Sequence, residues 1–328
     1  MRACKILSFS VVILLIAVLF VGVVTIPAAA QYDTMQFRYN AQHTSDYSPV
    51  AGSNTSNGNL TWSFTTGHYV FSCPAVVNGV VYVGSDDNNV YALNTTTGAK
   101  LWNYTTGGYV GSSPAVVNGV VYVGSYDKNT YALNAATGAK LWNYATRGSV
   151  TSSPAVVNGV VYVGSYDSNI YALNAATGAK LWNYATGDSV LSSPAVANGT
   201  VYVGSNDNNT YALNAATGAK LWNYTTGSYV DSSPAVANGT VYVGSDDNNI
   251  YALNAATGAK VWNYTTGSAV FSSPAVSNMV VYVGSNDGNV YAIGSAAMAT
   301  SQSTTPGFEV VLAFVGFVIA AYVVRRRR

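Results

Sequence analysis

Tryptophan occurs six times in this chain, at Trp62, Trp102, Trp142, Trp182, Trp222 and Trp262, each 40 residues after the last. Pro74, Pro114, Pro154, Pro194, Pro234 and Pro274 keep the same step, and so do Tyr91, Tyr131, Tyr171, Tyr211, Tyr251 and Tyr291. A period this strict requires one supersecondary unit copied in tandem, each copy burying its apolar faces against its neighbours.

One unit, Ser112 to Thr146, reads SSPAVVNGVVYVGSYDKNTYALNAATGAKLWNYAT. Its runs VVYVGS, TYALN and KLWNY are short, rich in β-branched and aromatic residues, and divided by Asn118-Gly119, by Ser125 to Asn129, and by Thr137-Gly138. Such runs between turn residues read as strands, and no segment sustains a helical period. With SPAVV as a further strand, the unit holds four short antiparallel strands. Four strands in a repeat of ~40 residues make the blade of a β-propeller.

The fold expected is therefore all-β, a propeller of six four-stranded blades over residues 60–294. The repeats begin on a Trp strand, Leu60 to Phe64, and end on a Tyr strand, Val290 to Ile293. The economical arrangement pairs these two, so that the first strand completes the sixth blade, closes the ring and removes both edges.

The A-x-x-G-x-x-x-W pattern from Ala135 to Trp142, followed by SSPAV and VYVGS, resembles the repeat of pyrroloquinoline-quinone (PQQ)-type β-propellers. The resemblance runs from Leu60 to Ile293. It implies the fold, although that family more often builds seven or eight blades. It does not imply one function, because the repeat serves quinone dehydrogenases and propellers that only bind other proteins. The dehydrogenases use an adjacent cysteine pair, a calcium site of Glu, Asn and Asp, and a catalytic Asp. None of these carries over: the chain has no Cys-Cys pair, and its one glutamate, Glu309, lies in the tail.

Composition narrows the function further. From Gln31 to Thr305, twelve aspartates face six lysines and two arginines, a net charge of −4 that offers no basic face to nucleic acid. Beyond Cys4 in the leader, Cys73 stands alone and excludes a disulfide framework. It replaces the Ser of the other units and reads as a small buried residue. The two histidines, His43 and His68, leave general acid–base catalysis with few groups. No Ser-His-Asp set, Cys/His cluster or phosphate-binding loop is apparent. The residues point to a protein that is not an enzyme and needs neither PQQ nor calcium.

The flanks indicate export. Residues 1–30 read as a signal peptide, with Arg2 and Lys5 before an apolar run and Ala28-Ala29-Ala30 at its end. Residues 31–59 form a polar lead-in strap on the propeller edge, with His43 structural, and 295–305 a linker. Over 306–328, Pro306-Gly307-Phe308 precedes fifteen residues from Val310 to Val324 and then four arginines. As a helix the run spans about 22 Å, short of a ~30 Å hydrocarbon core. This order resembles the PGF-type C-terminal sorting signal of archaeal surface proteins, which implies an archaeosortase that replaces the helix with a lipid anchor. A retained transmembrane anchor is the alternative. In either case the arginines stay cytoplasmic and the repeats face outward. Nine N-x-[ST] sequons occur, and Asn103, Asn223 and Asn263, beside Trp strands, are the best glycosylation candidates.

Differences among the repeats point to a binding face. The loops VVNGVV and NAATGAK hardly change. Variation collects before each SSPAV, as HYVF, GYVG, GSVT, DSVL, SYVD and SAVF, and between the second and third strands, as DDNN, YDKN, YDSN, NDNN, DDNN and NDGN. Antiparallel geometry puts both variable loops on one face. That face should carry His68, Tyr69, Phe71, Tyr109, Tyr126, Lys128, Arg147, Tyr166, Asp188, Tyr229, Asp231 and Phe271. Tyrosines interleaved with Asp and Asn suit a surface protein or a glycan. The recurrent Asp87, Asp127, Asp167, Asp207, Asp247 and Asp287 read as turn formers, since Asp hydrogen-bonds its own backbone. The six tryptophans read as structural, each packed on the neighbouring blade. The function expected is a cell-surface-anchored, non-catalytic binding or scaffold module. The alternatives are a quinone- or calcium-dependent oxidoreductase and a structural envelope component without a specific ligand.

Overall fold

The computed structural model describes residues 58–277 and 279–294, together with the backbone of Thr34 and Met35. The signal peptide, nearly all of the 31–59 strap with His43, the linker and the C-terminal anchor lie outside these residues. Among the described residues no helix is long and apolar enough to cross a membrane.

Every repeat folds as a separate antiparallel sheet. After the short β1 (Thr34–Met35), the first blade comprises β2 (Ala75–Val77), β3 (Val80–Gly84), β4 (Asn89–Asn94) and β5 (Lys100–Thr105). The second holds β6 (Ala115–Val117), β7 (Val120–Gly124), β8 (Asn129–Asn134) and β9 (Lys140–Ala145). The third holds β10 (Ala155–Val157), β11 (Val160–Ser165), β12 (Asn169–Asn174) and β13 (Lys180–Ala185). The fourth holds β14 (Ala195–Ala197), β15 (Thr200–Gly204), β16 (Asn209–Asn214) and β17 (Lys220–Thr225). The fifth holds β18 (Ala235–Ala237), β19 (Thr240–Gly244), β20 (Asn249–Asn254) and β21 (Lys260–Thr265). The sixth has only β22 (Ala275–Ser277), β23 (Val280–Gly284) and β24 (Val290–Ile293). Within each blade the strands lie in chain order. β1 adds to the free side of β6, Thr34 opposite Val117, so this part of the lead-in lies at the inner end of the second blade rather than on the periphery.

Local chemistry sets this pattern. Asn118 (φ 50°) and Gly119 (φ 74°) are both left-handed, the conformation of the tight I′ hairpin between first and second strands. The middle strands are buried on both sides because a blade lies on either side. The outer strand buries its tryptophan and leaves its other side chains more open. A bulge beside Ala132 and Leu133 leaves Leu141 without a partner and turns it to solvent.

The joints between blades repeat closely. Tyr82, Val90, Ala92 and Trp102 of the first blade pack on Val121, Val123, Tyr131 and Leu133 of the second. Trp102 Nε1 and the Tyr82 hydroxyl both donate to Ala135 O, at 2.9 and 3.1 Å. Each Tyr–Trp pair across the five complete blades has ring centroids 5.8–5.9 Å apart at 43–46°. Near the inner strands a serine ladder crosses the joints: Ser113 N donates to Ser153 Oγ, Ser153 N to Ser193 Oγ, and Ser193 N to Ser233 Oγ. The SS of SSPAV thus links blade to blade, a role the sequence did not reveal.

The count of six agrees with the sequence, but the closure does not. Leu60 to Phe64 joins no sheet, and β24 has no partner beyond β23 among the described residues. Burial marks two free ends. Val290 is 81% exposed where its equivalents Val90 and Ile250 are fully buried, and Tyr282 is 44% exposed where Tyr202 is 4%. Among the described residues the blades therefore form an open arc, with no strand shared between the first sheet and the sixth. Cys73 follows from the same cause. It is exposed, not buried, because among the described residues no blade precedes the first to cover it, although its N–H still donates to Ser113 Oγ at 2.9 Å.

Candidate binding face

The two variable loops meet, as antiparallel geometry requires. Asp86 N donates to Tyr69 O, Tyr126 N to Tyr109 O and Asp246 N to Tyr229 O, each at 2.9 Å. The recurrent aspartates lock the same junction. Asp127 Oδ2 accepts from Gly107 N at 2.7 Å and from the Tyr131 hydroxyl at 2.6 Å, while its Oδ1 accepts from Asn129 N. Burial raises the pKa of this carboxyl, but the bonds from Tyr131, Gly107 and Asn129 together outweigh it and leave the group below the ordinary range. The same balance holds for Asp87 and Asp247. Burial and the neighbouring carboxylate push the Tyr91 hydroxyl up to about 12. The left-handed residue of these turns is the one after the aspartate, as at Asn88, Lys128 and Ser168.

Of the candidate side chains, one group comes together. The His68 ring stacks on Tyr109 at 6.3 Å and meets Tyr69 edge-on at 4.5 Å. Tyr109 reaches Tyr126 at 5.9 Å, and Tyr69 reaches Phe71 at 5.8 Å. This run of rings crosses from the first blade to the second, and Tyr69, Phe71, Tyr109 and Tyr126 are exposed. Tyr229 and Phe271 are exposed at later joints, apart from this run. Lys128 and Arg147 are exposed, and the backbone N–H of Arg147 donates to Asp167 Oδ2 at 2.8 Å. Asp188 is exposed and accepts from its neighbour Ser189 N.

A second group faces it inside the mouth. Tyr166 lies beside Thr151 and Tyr126 and within electrostatic reach of Asp231. Asp231 in turn lies beside Asn206 and acts on Asp246. Burial raises the pKa of Asp231. Burial, then the charges of Asp231 and Asp247, push Asp246 up to about 6. Thr151 Oγ1, Asn206 Oδ1, Asp231 Oδ1 and Asp246 Oδ1 are buried from solvent and have no hydrogen-bond partner. Four acceptors without donors suit a ligand that brings N–H or O–H groups.

Thr151, Asn206 and Asp246 were not picked out from sequence. The signal was present: Thr151 occupies the repeat position of Asp231 and Phe71, and Asn206 and Asp246 occupy that of Tyr126 and Tyr166.

A quinone cofactor with its calcium does not fit these residues. Among the described residues no three His, Cys, Asp or Glu side chains gather as metal ligands. The mouth offers two carboxylates and no glutamate, so no step through such a group follows.

Blades of one repeated sheet, joined by Trp and Tyr, with individual loops on one face only, define a PQQ-like β-propeller. The family model described as "Beta-alanine-activating enzyme, beta-propeller" matches residues 117–321, and the chain belongs to that β-propeller family. The model of outer membrane protein assembly factor BamB matches residues 42–145. Among solved structures, the computationally designed Ika8 protein is similar at a TM-score of 0.63 and 20% identity, over 68% of this chain and 70% of that one. BamB from Moraxella catarrhalis is similar at 0.50 and 21%, over 72% and 88%. Quinohemoprotein alcohol dehydrogenase ADHIIG from Pseudomonas putida HK5 is similar at 0.58 and 20%, over 67% of this chain and 51% of the enzyme. At these identities the likeness is one of fold. No curated protein matches the sequence significantly.

Proposed function

We propose that this protein is a cell-surface-anchored, non-catalytic binding module that takes a glycan or a protein partner on its variable face. The observation that supports the reading best is the pairing of exposed rings with unpaired acceptors in one mouth. His68, Tyr69, Phe71, Tyr109 and Tyr126 offer flat apolar area, while Thr151, Asn206, Asp231 and Asp246 await donors. Sugar hydroxyls supply such donors and sugar faces stack on rings; lysine or arginine side chains of a partner would serve the same acceptors. Arginines after the apolar tail support outward display, with an archaeosortase-type enzyme or the membrane itself providing the anchor. Asn103, Asn223 and Asn263 are exposed on outer strands, where a glycan would leave the mouth clear.

The test is capture of surface glycans and surface proteins by the wild type and by a Tyr109→Ala/Tyr126→Ala/Tyr229→Ala variant. Loss of capture with unchanged thermal unfolding supports the reading; undiminished capture sinks it. The oxidoreductase alternative is tested by an absorbance spectrum with added PQQ and calcium. A bound chromophore with alcohol turnover would replace the proposal.

A further inference from the structure

One blade of this protein is divided between its two ends. Among the described residues the sixth has three strands, and β24 has no strand partner on its outer side, beside the exposed Tyr282, Val290 and Ala292. At the other end, Leu60 to Phe64 occupies the place of an outer strand that has no sheet. Trp62 Nε1 donates to Thr95 O at 2.8 Å, as Trp102 Nε1 does to Ala135 O. Phe64 meets Tyr91 at 5.3 Å, as Tyr104 meets Tyr131 at 5.6 Å. Trp62 also covers Gly98, as Trp102 covers Gly138. The segment is therefore already packed as the fourth strand of a blade whose other strands are not found before the first blade among the described residues.

We propose that a second copy of this chain supplies that blade: β24 of one copy pairs with Leu60–Phe64 of the next, completing the sixth blade in trans. The register follows from β4 and β5, where Asn89 faces Thr105, Val90 faces Tyr104 and Ala92 faces Trp102. Carried to the ends, it sets Asn289 opposite Thr65, Val290 opposite Phe64 and Ala292 opposite Trp62. Tyr282, Val290 and Ala292 then pack on Val83, Tyr91 and Leu93 of the next copy, repeating the joint made by Tyr82, Val90 and Ala92 inside the chain. Pairing within one copy would require the joints to widen together, against the bonds that Tyr82 and Trp102 make to Ala135 O and that their equivalents make to Ala175, Ala215 and Ala255 O. A second copy needs no joint to change. The contact is head-to-tail, so copies form a closed ring or a growing chain. An edge strand with an apolar face is also the surface most prone to such pairing.

The experiment uses full-length chains in which Cys4 and Cys73 are replaced by Ser. One carries Thr65→Cys, the other Asn289→Cys; both positions are exposed, and thermal unfolding of each variant checks that it is folded. Under mild oxidation, mixing the two should give a disulfide-linked dimer at least tenfold above either chain alone. Val290→Lys, at an 81% exposed site, should abolish the cross-link while leaving thermal unfolding unchanged. Two folded chains that fail to cross-link would overturn the proposal. So would a double Thr65→Cys/Asn289→Cys chain that oxidises only within itself, because the ring would then close in cis. A cross-link that survives Val290→Lys would refute the stated face.

Discussion

Gly178→Ala and Gly159→Ala separate two costs that usually come together. Both glycines are left-handed, at φ 72° and 75°. A Cβ at Gly159 meets nothing within 4 Å, whereas one at Gly178 would lie 2.7 Å from Cδ2 and Cε3 of Trp142. At Gly159 the cost is backbone conformation alone, about 1–2 kcal/mol. At Gly178 the ring must also move, and Trp142 is held by its Nε1 bond to Ala175 O at 2.9 Å and by the Tyr122 ring at 5.9 Å. Overpacking adds roughly 1–3 kcal/mol, so Gly178→Ala should cost about 2–5 kcal/mol in total. Urea unfolding followed by tryptophan fluorescence reads both, provided the slope with denaturant stays constant between variants. Equal losses for the two variants would refute the claim that Trp142 locks the joint through this glycine. A neutral Gly178→Ala would refute it more strongly.

Trp142→Ala should cost about 3–5 kcal/mol by truncating a buried aromatic, and Trp62→Ala clearly less, because Trp62 at the open end is only half-buried; the same unfolding assay ranks them. Met279 holds φ 63° without being glycine, so Met279→Gly should stabilise the sixth blade by ~1 kcal/mol, seen as slower amide exchange over β22 to β24. The lowered carboxyls of Asp87, Asp127 and Asp247 stabilise the fold above the unfolded value of ~4, and that contribution disappears as pH falls through their folded values. An acid titration by circular dichroism should therefore show loss beginning below pH ~4, and Asp127→Asn should flatten it. Asp246 behaves oppositely. With its pKa raised to about 6, its contribution is fully present below the unfolded value and is lost as pH rises through 6, so Asp246→Asn should raise the melting temperature at pH 8 and leave it unchanged at pH 4.

The period made the blades legible because each one repeats the same solution. Asn118-Gly119 announces its hairpin, and Trp142 recurs where a joint needs it. The variable loops were legible by the same comparison, since the alternating direction of antiparallel strands decides which loops share a face. Closure was not legible. Whether six wedges complete a circle depends on the angle at each joint, where Tyr82 and Trp102 of one blade meet Ala135 of the next, a packing quantity that no residue count contains. Cys73 was misjudged for a related reason: its equivalents Ser113 and Ser153 are buried by a preceding blade, and the first blade has none. The acceptor cluster of Thr151, Asn206, Asp231 and Asp246 draws on three different blades. It becomes visible only when the arc brings those blades around one mouth.

The distance between the two ends within one chain tests the open arc most directly. Spin labels at Thr65 and Asn289, in a Cys-free chain diluted into excess unlabelled protein, report that distance by pulsed electron resonance. An arc of six blades and five equal joints predicts a separation well beyond strand contact. A separation near the ~5 Å of paired strands would show a ring closed on itself and contradict the arc.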